Sequence, residues 1–142
     1  MKRLLILLSI LGACQVGEAL AAFGDDRIIV VTHVSNKNLT LSQEQIRNLF
    51  MGASVGRSLK PVVLPPSNRT RSLFNAKIVG LSESRVQSYW AQMKFTGRLS
   101  PPEEVSSESD MISYLLSQPK SIGYLTADSE LPEDLIVIYK TE

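Results

Sequence analysis

The chain has 142 residues, with 15 Lys/Arg against 14 Asp/Glu, one histidine and one cysteine. That length supports one hydrophobic core and is short for two domains. A near-neutral charge, with basic residues spread out and no stacking aromatics between them, gives no footprint for nucleic acid.

Residues 1–21 read as an export signal. Lys2 and Arg3 form a basic start, Leu4 to Leu11 a short apolar run below the ~18 residues a spanning helix needs, and Ala19-Leu20-Ala21 fits cleavage before Ala22. Leu11-Gly12-Ala13-Cys14 offers an alternative, a lipoprotein signal ending before Cys14 that would anchor the protein to a membrane. Both readings imply a periplasmic location, with residues 22–142 as a single domain. After cleavage before Ala22 no thiol remains, so there is no disulfide, no Cys-based metal site and no cysteine nucleophile.

The β-branched run Ile28-Ile29-Val30-Val31 predicts a strand buried on both faces. After a polar turn, Ser42 and Gln45 form a capping-box pattern for a helix that places Ile46, Leu49 and Phe50 on one face and stops at Gly52. Val62 to Leu64 is a second strand. A helix from Thr70 to Val79 follows, burying Leu73, Phe74 and Ile78 and closed by Gly80. Ser82 caps another, with Val86, Tyr89, Trp90 and Met93 at helical spacing. Thr96 to Pro102 reads as a loop. Ser107 and Asp110 open the last helix, with Met111, Ile112, Leu115 and Leu116 inward, and Pro119 halts it. Strands at 122–125 and 135–139 complete the pattern. Alternating strands and helices predict a three-layer α/β single domain with a mostly parallel sheet covered on both faces.

Charge is divided along the chain. Between Arg27 and Arg98 the only acidic residues are Glu44 and Glu83; from Pro101 onward the only basic ones are Lys120 and Lys140. Such a division fits a face for anionic partners, or two halves that attract each other.

Few residues carry chemistry. His33 stands alone, without a second histidine or a triad, and a structural role fits it best. Glu103-Glu104 and Glu130 with Glu133-Asp134 lack calcium-loop spacing and read as solvated. There is no Gly-x-Ser-x-Gly elbow, Walker loop or Rossmann glycine pattern. The expectation is a non-enzymatic protein without metal or cofactor.

One stretch stands out. Val62-Val63-Leu64 is stopped by Pro65-Pro66, and Ser67, Asn68, Arg69, Thr70 and Arg71 lead straight into a helix. A strand feeding a helix in this way aims backbone N–H groups and the positive end of the helix dipole at one spot, where an anion would sit. Hydroxyls of Ser67 and Thr70 would donate hydrogen bonds and an arginine would supply charge. The plainer reading makes Ser67 or Asn68 an N-cap and the arginines surface residues.

Three segments in order resemble the periplasmic substrate-binding proteins of phosphate ABC transporters, within the type 2 periplasmic binding protein superfamily. They are Leu41 to Gly52, Pro61 to Phe74, and Ser117-Gln118-Pro119-Lys120-Ser121-Ile122-Gly123-Tyr124. The resemblance covers roughly residues 27–126 and implies the fold of one lobe of a receptor that has two. It implies phosphate or another small oxyanion as ligand, and a transporter, sensor or second lobe-bearing chain as partner. The family's Ser-Gly-Thr appears here as Ser67-Asn68-Arg69-Thr70, so only Ser67 and Thr70 match, with Arg71 placed suitably and Ser35 offering a second hydroxyl. A lone lobe leaves the anion wet, which implies weak binding or completion by another chain. The alternative is an envelope interaction or sensory accessory module that kept the lobe and lost the ligand.

Overall fold

The computed structural model describes residues 24–142; the expected signal, its cleavage site and Cys14 lie outside the described residues. The elements are β1 (Ile28–Thr32), α1 (Gln43–Phe50), β2 (Lys60–Val63), α2 (Arg69–Phe74) with a π-helical turn (Asn75–Val79), α3 (Glu83–Phe95), β3 (Glu103–Glu104), α4 (Glu108–Ser117), β4 (Ser121–Thr126) and β5 (Ile136–Lys140).

Local chemistry starts and stops these elements as their residues demand. The Gln45 N–H donates to Ser42 Oγ at 3.2 Å while the Ser42 N–H donates to Gln45 Oε1 at 2.9 Å, closing the capping box of α1. Ser82 and Ser107 cap α3 and α4 through their hydroxyls. The expected helix over 70–79 is continuous but changes character at Asn75, where the hydrogen bonds widen to the π pattern. Gly80, at φ 74°, ends it in the left-handed conformation that glycine adopts without strain.

The five strands lie in the order β3-β2-β4-β1-β5. The sheet is mixed rather than mostly parallel: β2 runs parallel to β3 and β4, whereas β1 runs antiparallel to both β4 and β5. Alternation of strand and helix implies the layers but not the order of strands. Here β4 inserts between β1 and β2 and runs with β2. β3, just after the expected loop at 96–102, is a two-residue edge strand that no hydrophobic pattern announces.

Both faces are covered, making three layers. Successive strand residues point to opposite sides. At Gly123 the missing side chain leaves room for Met111 Sδ of α4 on one side of β4. The next residue, Tyr124, stacks on Phe74 at 3.9 Å on the other side, with Phe50 at 5.9 Å. β1 is buried along its whole length and β4 over five of its six residues. This central pair anchors the core, which gathers Ile28, Val30, Ile46, Leu64, Ile78, Leu115 and Leu125. Among the described residues no helix is long and apolar enough to cross a membrane.

Candidate oxyanion site

The strand directions define where a ligand could sit. Ile28, at the start of β1, pairs with Thr126 at the end of β4, and β2 runs with β4. The carboxyl ends of β2, β3, β4 and β5 therefore gather at one end of the sheet, together with the N-termini of α2 and α4. Ligands of open α/β sheets collect at such an end. β1 alone points the other way, which carries His33 and Ser35 to the opposite end. A five-residue strand separates them from the 65–71 turn by roughly 15 Å. Ser35 is exposed beside Pro119 and Lys120 and cannot join Ser67 and Thr70. His33 lies within 3.2 Å of the Leu115 carbonyl through Nδ1, and its own carbonyl accepts the Lys120 N–H at 3.1 Å.

At the 65–71 turn the geometry divides the expected residues. Ser67 is exposed, and its hydroxyl makes no hydrogen bond among the described residues. Asn68 is the N-cap of α2: its Oδ1 accepts the N–H groups of Thr70 at 2.8 Å and Arg71 at 3.3 Å. Those are donors an anion would need, and a neutral side chain holds them. Arg69 is exposed and pairs with Asp26 just ahead of β1. Thr70 and Arg71 are buried, at 7% and 6% exposure.

The two buried side chains face carboxylates of the chain itself. Thr70 Oγ1 donates to Glu108 Oε1 at 2.6 Å. The same carboxylate accepts the Thr126 N–H at 3.2 Å, the Thr126 hydroxyl at 3.3 Å and the Ser129 hydroxyl at 3.5 Å. Glu108 also occupies the first turn of α4, where the helix dipole favours a negative charge. This is an oxyanion seat in its chemistry, and an internal carboxylate fills it.

Arg71 turns away from that seat into the layer beneath. Its Nε and Nη2 form a two-pronged pair with Glu83 at 2.9 and 2.7 Å, and Nη1 donates to the Leu64 carbonyl at 2.6 Å. Asn75 and Gln87 complete the shell of Glu83 at 2.7 and 2.8 Å. Close by, the Leu64 N–H donates to the Tyr124 hydroxyl at 3.0 Å. Burial pushes that phenol well above its ordinary titration range, so it stays protonated.

Sequence reasoning missed Glu108, Thr126, Ser129, Glu83 and Asn75. Glu108 follows an N-cap serine and reads as ordinary first-turn acid. Nothing in its spacing places it against a threonine 38 residues earlier. Among the described residues no group of three or more His, Cys, Asp and Glu stands ready to hold a metal ion.

No family model matches the chain, and neither does any curated protein. Its fold is similar to that of an ABC-type phosphate transport receptor from Vibrio cholerae, with a TM-score of 0.58 at 18% identity. The likeness covers 78% of this chain but 44% of that receptor, so the chain spans less than half the receptor's length. At that identity the likeness concerns the fold alone: an α/β single domain with a mixed five-stranded sheet.

Proposed function

We propose that the protein is an exported, non-enzymatic lobe of the periplasmic-binding-protein kind that works as an envelope interaction or sensory accessory module, without capturing free phosphate. The observation that carries this reading is the seat filled by Glu108. Thr70, Thr126 and Ser129 already spend their donors on a carboxylate, and Asn68 holds the first amides of α2. An incoming phosphate would meet a like charge and no free side-chain donor within that seat.

A second reading keeps phosphate or another small oxyanion as ligand, bound weakly or with a transporter, sensor or second lobe-bearing chain. One observation favours it. The donors converging on Glu108 are those an oxyanion needs, and exposed Ser67 stands at the edge of the same helix N-terminus.

A thermal-shift panel of phosphate, sulfate and carboxylates separates the two. The interaction module gives no phosphate-dependent rise in melting temperature. A rise that disappears in the Ser67→Ala/Thr70→Ala double variant would overturn it in favour of the receptor. Glu108→Ala is the sharpest comparison: gain of phosphate response in that variant alone identifies the carboxylate as the block.

A further inference from the structure

A cavity of about 220 Å³ lies between β2, the α2–π segment and α3. One part of its wall is apolar, from Phe50, Val63, Phe74, Val79, Val86 and Trp90, and the other is polar, from Asn75, Gln87 and Glu104. The polar part also contains the buried guanidinium of Arg71. A guanidinium has five N–H donors. Glu83 and the Leu64 carbonyl take one each from Nε, Nη1 and Nη2, leaving one on each terminal nitrogen. A second carboxylate, Glu104 Oε2, lies 3.6 Å from Nη1, too long for a hydrogen bond. Glu104 is half exposed and belongs to β3, an edge strand of two residues.

We propose that this cavity binds a small apolar carboxylic acid, with a ring or short branched chain inside and its carboxylate on Arg71 in place of Glu104. The size fits: a dry cavity of roughly 150 Å³ is known to take benzene. The head group fits as well, because a planar carboxylate matches the paired donors of a guanidinium. Phosphate would bring extra negative charge close to the carboxylates of Glu83 and Glu104. The π-helical turn supplies a third observation. It sets Phe74, Asn75 and Val79 along the cavity wall, and such turns recur at functional sites. Glu104 then acts as an intramolecular stand-in for the ligand, with a half-exposed side chain that can turn out to solvent. This site is separate from the seat around Glu108 and does not depend on how that seat is read.

The test is methyl-resolved NMR of the full chain titrated with benzoate, with benzamide as the neutral isostere. Benzoate should give saturable shifts at Val63 and Val86, with ring-to-methyl Overhauser contacts. Benzamide should bind at least about ten-fold more weakly, having lost the charge-assisted pair. Glu104→Gln should tighten benzoate about three-fold by removing a competing, half-exposed carboxylate, and Val86→Phe should abolish binding by filling the space. Should Val86→Phe fail to fold, the wild-type titration still decides. Absence of saturable benzoate shifts, equal affinity for benzamide, or weaker binding in Glu104→Gln would each overturn the assignment.

Discussion

Glu83→Ala is the most direct probe of how the interior is held. Arg71 is 7% exposed in its side chain and Glu83 25%, and two short bonds of 2.7 and 2.9 Å join them. Removing the carboxylate leaves a buried guanidinium with the Leu64 carbonyl at 2.6 Å and a distant Glu104 at 3.6 Å. Breaking one side of a buried pair costs ~3–5 kcal/mol, and the remaining contacts of Arg71 place this case near the lower end, about 3 kcal/mol. For a domain of this size that corresponds to a fall of roughly 12 °C in melting temperature. Urea denaturation at neutral pH should show a lower midpoint with an unchanged slope. The double variant Arg71→Met/Glu83→Leu should recover most of the loss, because apolar side chains of similar volume remove both charges together. A loss below about 1 kcal/mol in Glu83→Ala, or a double variant worse than the single, would refute this account of the core.

Other perturbations test neighbouring parts of the structure. Asn68→Ala removes the cap that holds the Thr70 and Arg71 amides and should cost about 1 kcal/mol, with faster hydrogen exchange at those two amides; unchanged exchange would contradict the cap. Gly123→Ala sets a methyl group into Met111 Sδ and should cost ~1–3 kcal/mol, partly recovered by Met111→Ala; an undisturbed melting curve would mean that α4 does not pack there. The Arg27 side chain, aided by its backbone N–H, holds the Asp25 carboxyl at about 2, below its ordinary 3.8. A carboxyl depressed in this way stabilises the fold above pH 3.8 and loses that contribution as pH falls through 2. Asp25→Asn should flatten this acid limb, whereas a carboxyl NMR midpoint near 3.8 in the wild type would rule out the pairing.

Much of the architecture was legible because local signals carry it. The capping box at Ser42, the serine caps of α3 and α4, the stop at Gly80 and the buried runs at 28–31 and 122–125 each depend on residues within a few positions of one another. β3 was not legible, since Glu103-Glu104 has no apolar alternation and forms only because β2 offers an open edge. The π-helical turn is likewise a tertiary product. Phe74 and Asn75, where it begins, meet Tyr124 and Glu83, far away in sequence or on the next helix.

For the site, the residues between Pro65 and Phe74 by themselves determined a strand-to-helix turn with hydroxyls, an N-cap and two arginines, because turn chemistry and helix starts are written locally. Only the tertiary structure decided what those groups do. Antiparallel pairing of β1 sent Ser35 to the far end of the sheet, and the packing of α4 and α3 brought Glu108 to Thr70 and Glu83 to Arg71. A partner 38 or 12 residues distant leaves no mark in local spacing, because charge complementarity is settled by which elements meet in space.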